Sequence, residues 1–105
     1  LPQRIENLVY LHFRSRGSAV YVGASRDSEV DFVVENNGRR SYCQVCYLLS
    51  DEKVIEREFR SLERIPDNHP KSVVSLDDVA LGDRNGIEHV LLWNMLSPEW
   101  SPGKG

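Results

Sequence analysis

The sequence predicts an α/β domain in which a small mixed β-sheet is flanked by helices. Segments of helical and of strand periodicity follow one another in the order helix, three strands, helix, two strands. The triplet Asn36-Asn37-Gly38 is a hairpin signal that makes the second and third strands antiparallel, and a crossover helix follows the third strand. A chain of 105 residues supports one hydrophobic core. We therefore expect a single domain over residues 1–96.

Two segments have the periodicity of amphipathic helices. The first runs from Ile5 to Arg16 and stops at Gly17, a residue type common just after helix C-termini. The second begins after a predicted N-cap at Ser50 and runs to about Ile65. Apolar residues three and four apart give each helix one hydrophobic face, comprising Ile5, Leu8, Val9 and Phe13 in the first and Ile55, Phe59 and Leu62 in the second.

Five strands are predicted, at residues 19–22, 30–35, 40–48, 71–76 and 87–92. The third of them is apolar on both faces and is therefore expected near the centre of the sheet. Residues 83–86 read as a turn, and a short helical turn is expected at 93–96. The segment 97–105 is rich in proline and glycine, so it is expected to be a disordered tail.

Composition argues against two classes of protein, strongly basic nucleic-acid binders and membrane-spanning proteins. The net charge of −3 and the isoelectric point near 5.6 argue against a strongly basic nucleic-acid binder, although they allow a local basic patch. No apolar run approaches the ~20 residues that a membrane span requires, and no signal peptide is visible. We therefore expect a cytoplasmic protein that does not associate with membranes.

Cys43 and Cys46 form a C-x-x-C motif, which invites a redox or zinc interpretation. Residues three apart in a strand point to opposite faces, so the two sulfur atoms should diverge. Zinc would need two more ligands, and His12, His69 and His89 have no ligand-like spacing. Reduced thiols without a metal or redox role are expected.

Asp31 is the most informative residue, because it is an acid between Val30 and Phe32 in a strand that is otherwise apolar. Burying a carboxylate is costly unless it has a partner or a function. In the next strand, Gln44 and Cys46 stand where a carboxylate and a lysine would complete a metal-dependent phosphodiesterase site.

These residues support a family resemblance. Glu6 in the first helix, the E-V-D-F strand containing Asp31 and the apolar strand centred on Gln44 together resemble the restriction-endonuclease-like PD-(D/E)xK superfamily. More closely, segments 6–11, 44–50 and 56–62 resemble the uncharacterised C-terminal domain of prokaryotic AAA-type ATP-binding proteins. The likeness spans roughly residues 6–96 and implies a restriction-endonuclease-like core preceded in the native protein by an ATPase module.

The resemblance implies a degenerate catalytic site. Superfamily nucleases hold Mg²⁺ with carboxylates on adjacent strands and use a lysine to stabilise the transition state. Asp31 would be the first carboxylate, Gln44 would replace the second and Glu6 would be the outer acid, so Asp31 and Gln44 would be the metal ligands of an active enzyme. Cys46 stands at the lysine position, where a thiol supplies no fixed positive charge. No cofactor is expected, and Mg²⁺ only if the domain is a nuclease.

The resemblance leads to one leading function and two alternatives. The leading hypothesis is a non-catalytic accessory or interaction domain of an AAA-type ATPase that targets nucleic acid, with its own ATPase module, another subunit or DNA as partner. One alternative is a Mg²⁺-dependent DNA endonuclease, or a Holliday-junction-resolvase-like enzyme, with a displaced lysine such as Lys53. The other is a dimerisation domain that forms a homodimer.

Candidate nucleic-acid contacts are Arg39 and Arg40 at the hairpin and Lys53 on the second helix. A purely structural interpretation remains open for the acids. Asp31 and Glu6 could pair with nearby arginines, and Gln44 could hydrogen-bond to Asp31 and rigidify the sheet.

Overall fold

The structure is a computed structural model that describes residues 4–22, 30–78 and 83–103. Helices cover both faces of one sheet, so the described part of the chain is a small α/β fold. In chain order the elements are α1 (Arg4–Ser15), β1 (Ala19–Val22), β2 (Phe32–Asn36), β3 (Arg39–Val45), α2 (Glu52–Glu63), β4 (Lys71–Ser75), β5 (Asp83–Arg84), β6 (Ile87–Leu91) and α3 (Leu92–Met95).

The sheet is mixed, as predicted. Its strand order is β1-β2-β3-β4-β6-β5. β2 pairs antiparallel with both β1 and β3. β4 is parallel to both of its neighbours, β3 and β6, and the edge strand β5 is antiparallel to β6. Helix α2 makes the crossover between the parallel strands β3 and β4, since a direct turn cannot join parallel neighbours. β3 is an interior strand, which confirms its predicted position.

The hairpin between β2 and β3 is also confirmed. Asn37 and Gly38 have φ values of 54° and 78°, the left-handed conformations that a two-residue hairpin of this twist requires. The turn sets the register, in which Phe32 lies opposite Cys43. Continuing this register by one residue brings Asp31 next to Gln44.

Two hydrophobic clusters lie on opposite faces of the sheet. The first lies beneath α1 and α3 and includes Val9, Phe32 and Met95. The second lies beneath α2 and includes Phe59 and Val73. Alternation along the central strands sends successive side chains to the two clusters, so the sheet is sandwiched between helices.

Several element boundaries differ from the prediction. Asp51, not Ser50, is the N-cap of α2, because its carboxylate accepts the backbone N–H of Val54. α2 ends at Glu63, before the predicted Ile65. β3 ends at Val45, although Cys46 N–H still donates to β4 at 2.9 Å. The predicted turn at 83–86 contains β5, followed by a tight Asn85-Gly86 turn.

The C-terminal segment lies against the domain. The sequence predicts a loose tail from residue 97, whereas in the structure the Trp100 ring packs on Phe13 with 6.4 Å between ring centroids. The Arg16 guanidinium donates to the backbone carbonyl of Trp100 at 2.6 Å. The physical reason is the large apolar area of the indole, whose burial offsets the flexibility of the flanking proline and glycine residues. Residues 104 and 105 lie outside the described residues.

In the described ranges, none of the helices combines the length and the apolar character that crossing a bilayer would demand.

Candidate functional site

Asp31 and Gln44, which the sequence singled out, are joined by hydrogen bonds. The backbone N–H of Asp31 donates to Gln44 Oε1 at 3.0 Å. In return, the backbone N–H of Val45 donates to Asp31 Oδ2 at 2.8 Å. The two side chains therefore bind the start of β2 to the end of β3, where they extend the pairing of the strands.

Glu58 completes this network from α2. Gln44 Nε2 donates to Glu58 Oε1 at 3.2 Å, so both the oxygen and the nitrogen of the Gln44 amide are hydrogen-bonded. Sequence reasoning missed Glu58. A signal was available, because Glu58 lies three residues after Ile55 and four before Leu62, both buried, which places it in the inward stripe of the helix.

Asp31 is influenced by the charges of two further acids, Glu6 on α1 and Glu58 on α2. Burial raises the pKa of Asp31 to about 6, the Val45 N–H opposes that shift, and the charges of Glu6 and Glu58 raise the pKa further. One carboxylate oxygen of Glu6 is buried without a hydrogen-bond partner among the described residues. We refer to Glu6, Asp31, Gln44 and Glu58 as the carboxylate cluster.

Cys46 lies beside the carboxylate cluster as a neutral thiol. Burial raises its pKa to about 12, with added contributions from Glu58 and Asp31. Burial also raises the pKa of Cys43. Both cysteines are free, and they belong to opposite clusters of the core. The predicted divergence of the C-x-x-C sulfur atoms is therefore confirmed.

Among the described residues, Arg57 and not the predicted Lys53 contacts this network. Arg57 Nε lies 3.5 Å from Glu58 Oε2, and its side chain is 68% exposed. Its positive charge also opposes the upward shift in the pKa of Cys46. Lys53 is exposed on the same helix and has no such contact within the described residues.

The resemblance implies Mg²⁺ at this site, which requires suitable ligands among the side chains present. A hard divalent cation needs several oxygen ligands directed at one point. Here Gln44 Oε1 already accepts the Asp31 N–H, and Asp31 Oδ2 accepts the Val45 N–H. In the part of the chain that the structure describes, no three acidic, histidine or cysteine side chains are grouped to hold a metal ion. In this arrangement the described side chains therefore form no ready-made Mg²⁺ site.

No family model, curated protein or solved structure matches this chain. The likeness to PD-(D/E)xK proteins therefore remains a hypothesis that depends on Glu6, Asp31 and Gln44.

Two of the three predicted nucleic-acid residues, Arg39 and Arg40, lie apart from the carboxylate cluster, whereas Lys53 lies on α2, the helix that carries Glu58. Arg39 and Arg40 are at the hairpin end of β3. They lie opposite Asn36 and Glu35, five and four residues along the paired strand from Asp31, or about 16 and 13 Å at the usual rise of a strand. Arg40 pairs with Glu35 at 2.7 Å, and Arg39 is exposed. The structure thus separates a negative end of the sheet from a positive end.

Proposed function

We propose that this chain is a non-catalytic accessory domain that targets nucleic acid for an AAA-type ATPase. The observation that carries the proposal is the use of both ends of the Gln44 amide. Its oxygen accepts the backbone N–H of Asp31 and its nitrogen donates to the Glu58 carboxylate, so Gln44 acts as a structural bridge where a nuclease would have a metal ligand.

The electrostatics of the carboxylate cluster support the same conclusion. A phosphodiesterase stabilises the developing charge on phosphate with cations, and losing one such group typically costs about 10²–10³ in rate. At the lysine position Cys46 has a pKa near 12, so the thiol carries no charge at neutral pH. Glu6 and Asp31 form no ion pair with a described cation, so their negative charge disfavours a phosphate at this end of the sheet.

The proposal is tested by separating binding from cleavage. The purified chain is mixed with labelled duplex and junction DNA, with and without Mg²⁺ or Mn²⁺, and both anisotropy and strand scission are measured. We expect salt-sensitive binding without scission, because phosphate contacts release counterions. Metal-dependent scission that Asp31→Ala abolishes and Asp78→Ala retains would overturn the proposal.

A metal-dependent nuclease is the second candidate, favoured by the Arg57–Glu58 pair. Glu58 brings a carboxylate to Gln44 from outside the predicted motif, and Arg57 is a cation next to it. Rotation of Arg57 toward Cys46 would supply the missing charge. Calorimetric titration of Mn²⁺ discriminates the two functions. Mn²⁺ binding at micromolar affinity that Asp31→Asn abolishes, together with strand scission that Arg57→Gln abolishes, would establish the enzyme instead.

A homodimer is the third candidate, favoured by the edge strand β1. Tyr21 and Val22 lie on this strand and are 55% and 68% exposed, and unpaired edge strands readily pair with a second chain. Light scattering over a range of concentrations tests this function. A dimer that does not bind DNA, and that dissociates in the Val22→Lys variant, would support it.

A further inference from the structure

A cleft of about 820 Å³ opens at the positive end of the sheet. It lies between the C-terminal end of α1, the hairpin that joins β2 to β3 and the segment 101–103. Ligand pockets typically measure about 300–1,000 Å³, so the cleft is larger than a single phosphate needs and can hold a nucleotide unit.

The cleft is cationic although the protein as a whole is acidic. Arg16, Arg39 and Arg40 line it, and no aspartate or glutamate does so among the described residues. The chain nevertheless carries a formal net charge of −3. Segregation of this kind produces a local positive potential that attracts anions.

The charges of two arginines in the cleft are not neutralised by described carboxylates. Arg39 is exposed, and its side chain makes no hydrogen bond or ion pair with another described residue. Arg16 donates to the backbone carbonyls of Trp100 and Pro98, which are uncharged, so the guanidinium keeps its full charge. The charge of Arg40, by contrast, is compensated by an ion pair with Glu35.

The walls of the cleft are held together before any ligand arrives. Asn36 Nδ2 donates to the backbone carbonyl of Arg16 at 3.3 Å and to Ser18 Oγ at 2.9 Å. These bonds join the hairpin to the end of α1, so Arg16 and Arg39 are presented from elements that are fixed to each other. Preorganisation of this kind lowers the entropy cost of binding.

We propose that this cleft binds the phosphate groups of a nucleic-acid strand, through Arg16 and Arg39, at the end of the sheet opposite the carboxylate cluster. Guanidinium groups match phosphate oxygens in charge and in geometry. The inference rests on the proposed function for its choice of nucleic acid. Free nucleotides carry the same chemical group and are distinguished by the experiment.

The test is fluorescence anisotropy with a labelled single strand of about twelve nucleotides and the intact chain, at several salt concentrations. Arg39→Gln removes the exposed cleft cation. Arg60→Gln is the matched control, because it removes the same charge from an exposed position on α2. Nucleoside monophosphate is titrated calorimetrically into each protein, and circular dichroism checks that both variants fold.

We expect Arg39→Gln to weaken binding about five- to tenfold and to lower the salt slope by about 0.7, the value for one phosphate contact on a single strand. Arg60→Gln should stay within twofold of wild type. Equal weakening by both variants would overturn the cleft assignment and leave nucleic-acid targeting in place.

The calorimetric arm separates the remaining outcomes. Monophosphate binding that needs Arg39, without any oligonucleotide binding, would support the phosphate cleft and contradict nucleic-acid targeting. Absence of binding in both arms would overturn both.

Discussion

At the residue scale, the decisive feature is a neutral amide placed among acids. Gln44 is 8% exposed and bridges Asp31 to Glu58. An amide can accept on one side and donate on the other, whereas a carboxylate at this position could only accept. Gln44 therefore ties the backbone of Asp31 to the carboxylate of Glu58 without adding a further charge.

The first prediction concerns Asp31→Asn. The pKa of Asp31 is about 6 in the folded state, against an ordinary value of 3.8 for an aspartate, so between these pH values the native state keeps a proton that the unfolded state loses. Stability contributed by this group is therefore present below about pH 4 and falls as the pH rises through 6. Asparagine cannot ionise and can still accept the Val45 N–H. We expect it to raise the free energy of unfolding by about 1 kcal/mol at pH 7, after allowance for solvent screening.

Urea denaturation at pH 4 and pH 7 measures this effect. Asp78→Asn, an exposed carboxylate, is the control and should change little at either pH. A lower stability of Asp31→Asn at pH 7 than of wild type would contradict the assigned electrostatics.

The second prediction concerns Gln44→Glu, the change that would restore an acid to the motif. It removes the donor to Glu58 and adds a buried carboxylate beside Asp31. We expect a loss of about 2–3 kcal/mol in the free energy of unfolding at pH 7. The loss should be smaller at pH 5, where Asp31 is protonated. Gln44→Met controls for shape, and its destabilisation should not depend on pH in this way.

At the element scale, helix α2 joins the second core to the carboxylate cluster. Ile55, Phe59 and Leu62 are buried, as their spacing predicts, and Glu58 lies among them. The start of the helix was predicted one residue early, because Ser50 and Asp51 are both good caps by residue type. Only the extended backbone of Asp51 and its bond to Val54 distinguish them.

The third prediction follows from this cap. Asp51→Ala should lower the free energy of unfolding by about 1 kcal/mol, because the Val54 N–H loses its acceptor. Ser50→Ala should change it by less than about 0.5 kcal/mol, as expected for an exposed residue outside the helix. Thermal denaturation of the two variants compares them directly. Equal effects, or a larger effect of Ser50→Ala, would contradict the observed cap.

At the scale of the whole molecule, charge and packing are both divided between regions. Acids collect where β2 begins, and cations collect at the hairpin where it ends. The segment 97–103 closes one side of the cationic cleft and packs its tryptophan on the first core. Docking of this segment therefore links stability of the domain to the shape of the cleft.

The fourth prediction tests this docking with the two tryptophans. Trp100 packs on the core, so Trp100→Ala should lower the free energy of unfolding by about 2 kcal/mol. Trp93 is 64% exposed, and Trp93→Ala should stay within about 0.5 kcal/mol of wild type. Trp100→Phe is a second control. Because the indole N–H is buried without a described partner, phenylalanine should be tolerated better than alanine. If Trp100→Ala is as stable as Trp93→Ala in urea, the segment does not dock.

The sequence by itself determined the order of helices and strands apart from β5, the Asn37-Gly38 hairpin, the mixed sheet and the divergence of Cys43 from Cys46. Each of these follows from local periodicity or turn chemistry, which neighbouring residues encode. Only the tertiary structure decided that Glu58 meets Gln44, and that Arg16, Arg39 and the C-terminal segment share one cleft. Those contacts join residues far apart in the chain, and they depend on how the crossover helix and the chain ends pack on the sheet, which periodicity does not specify.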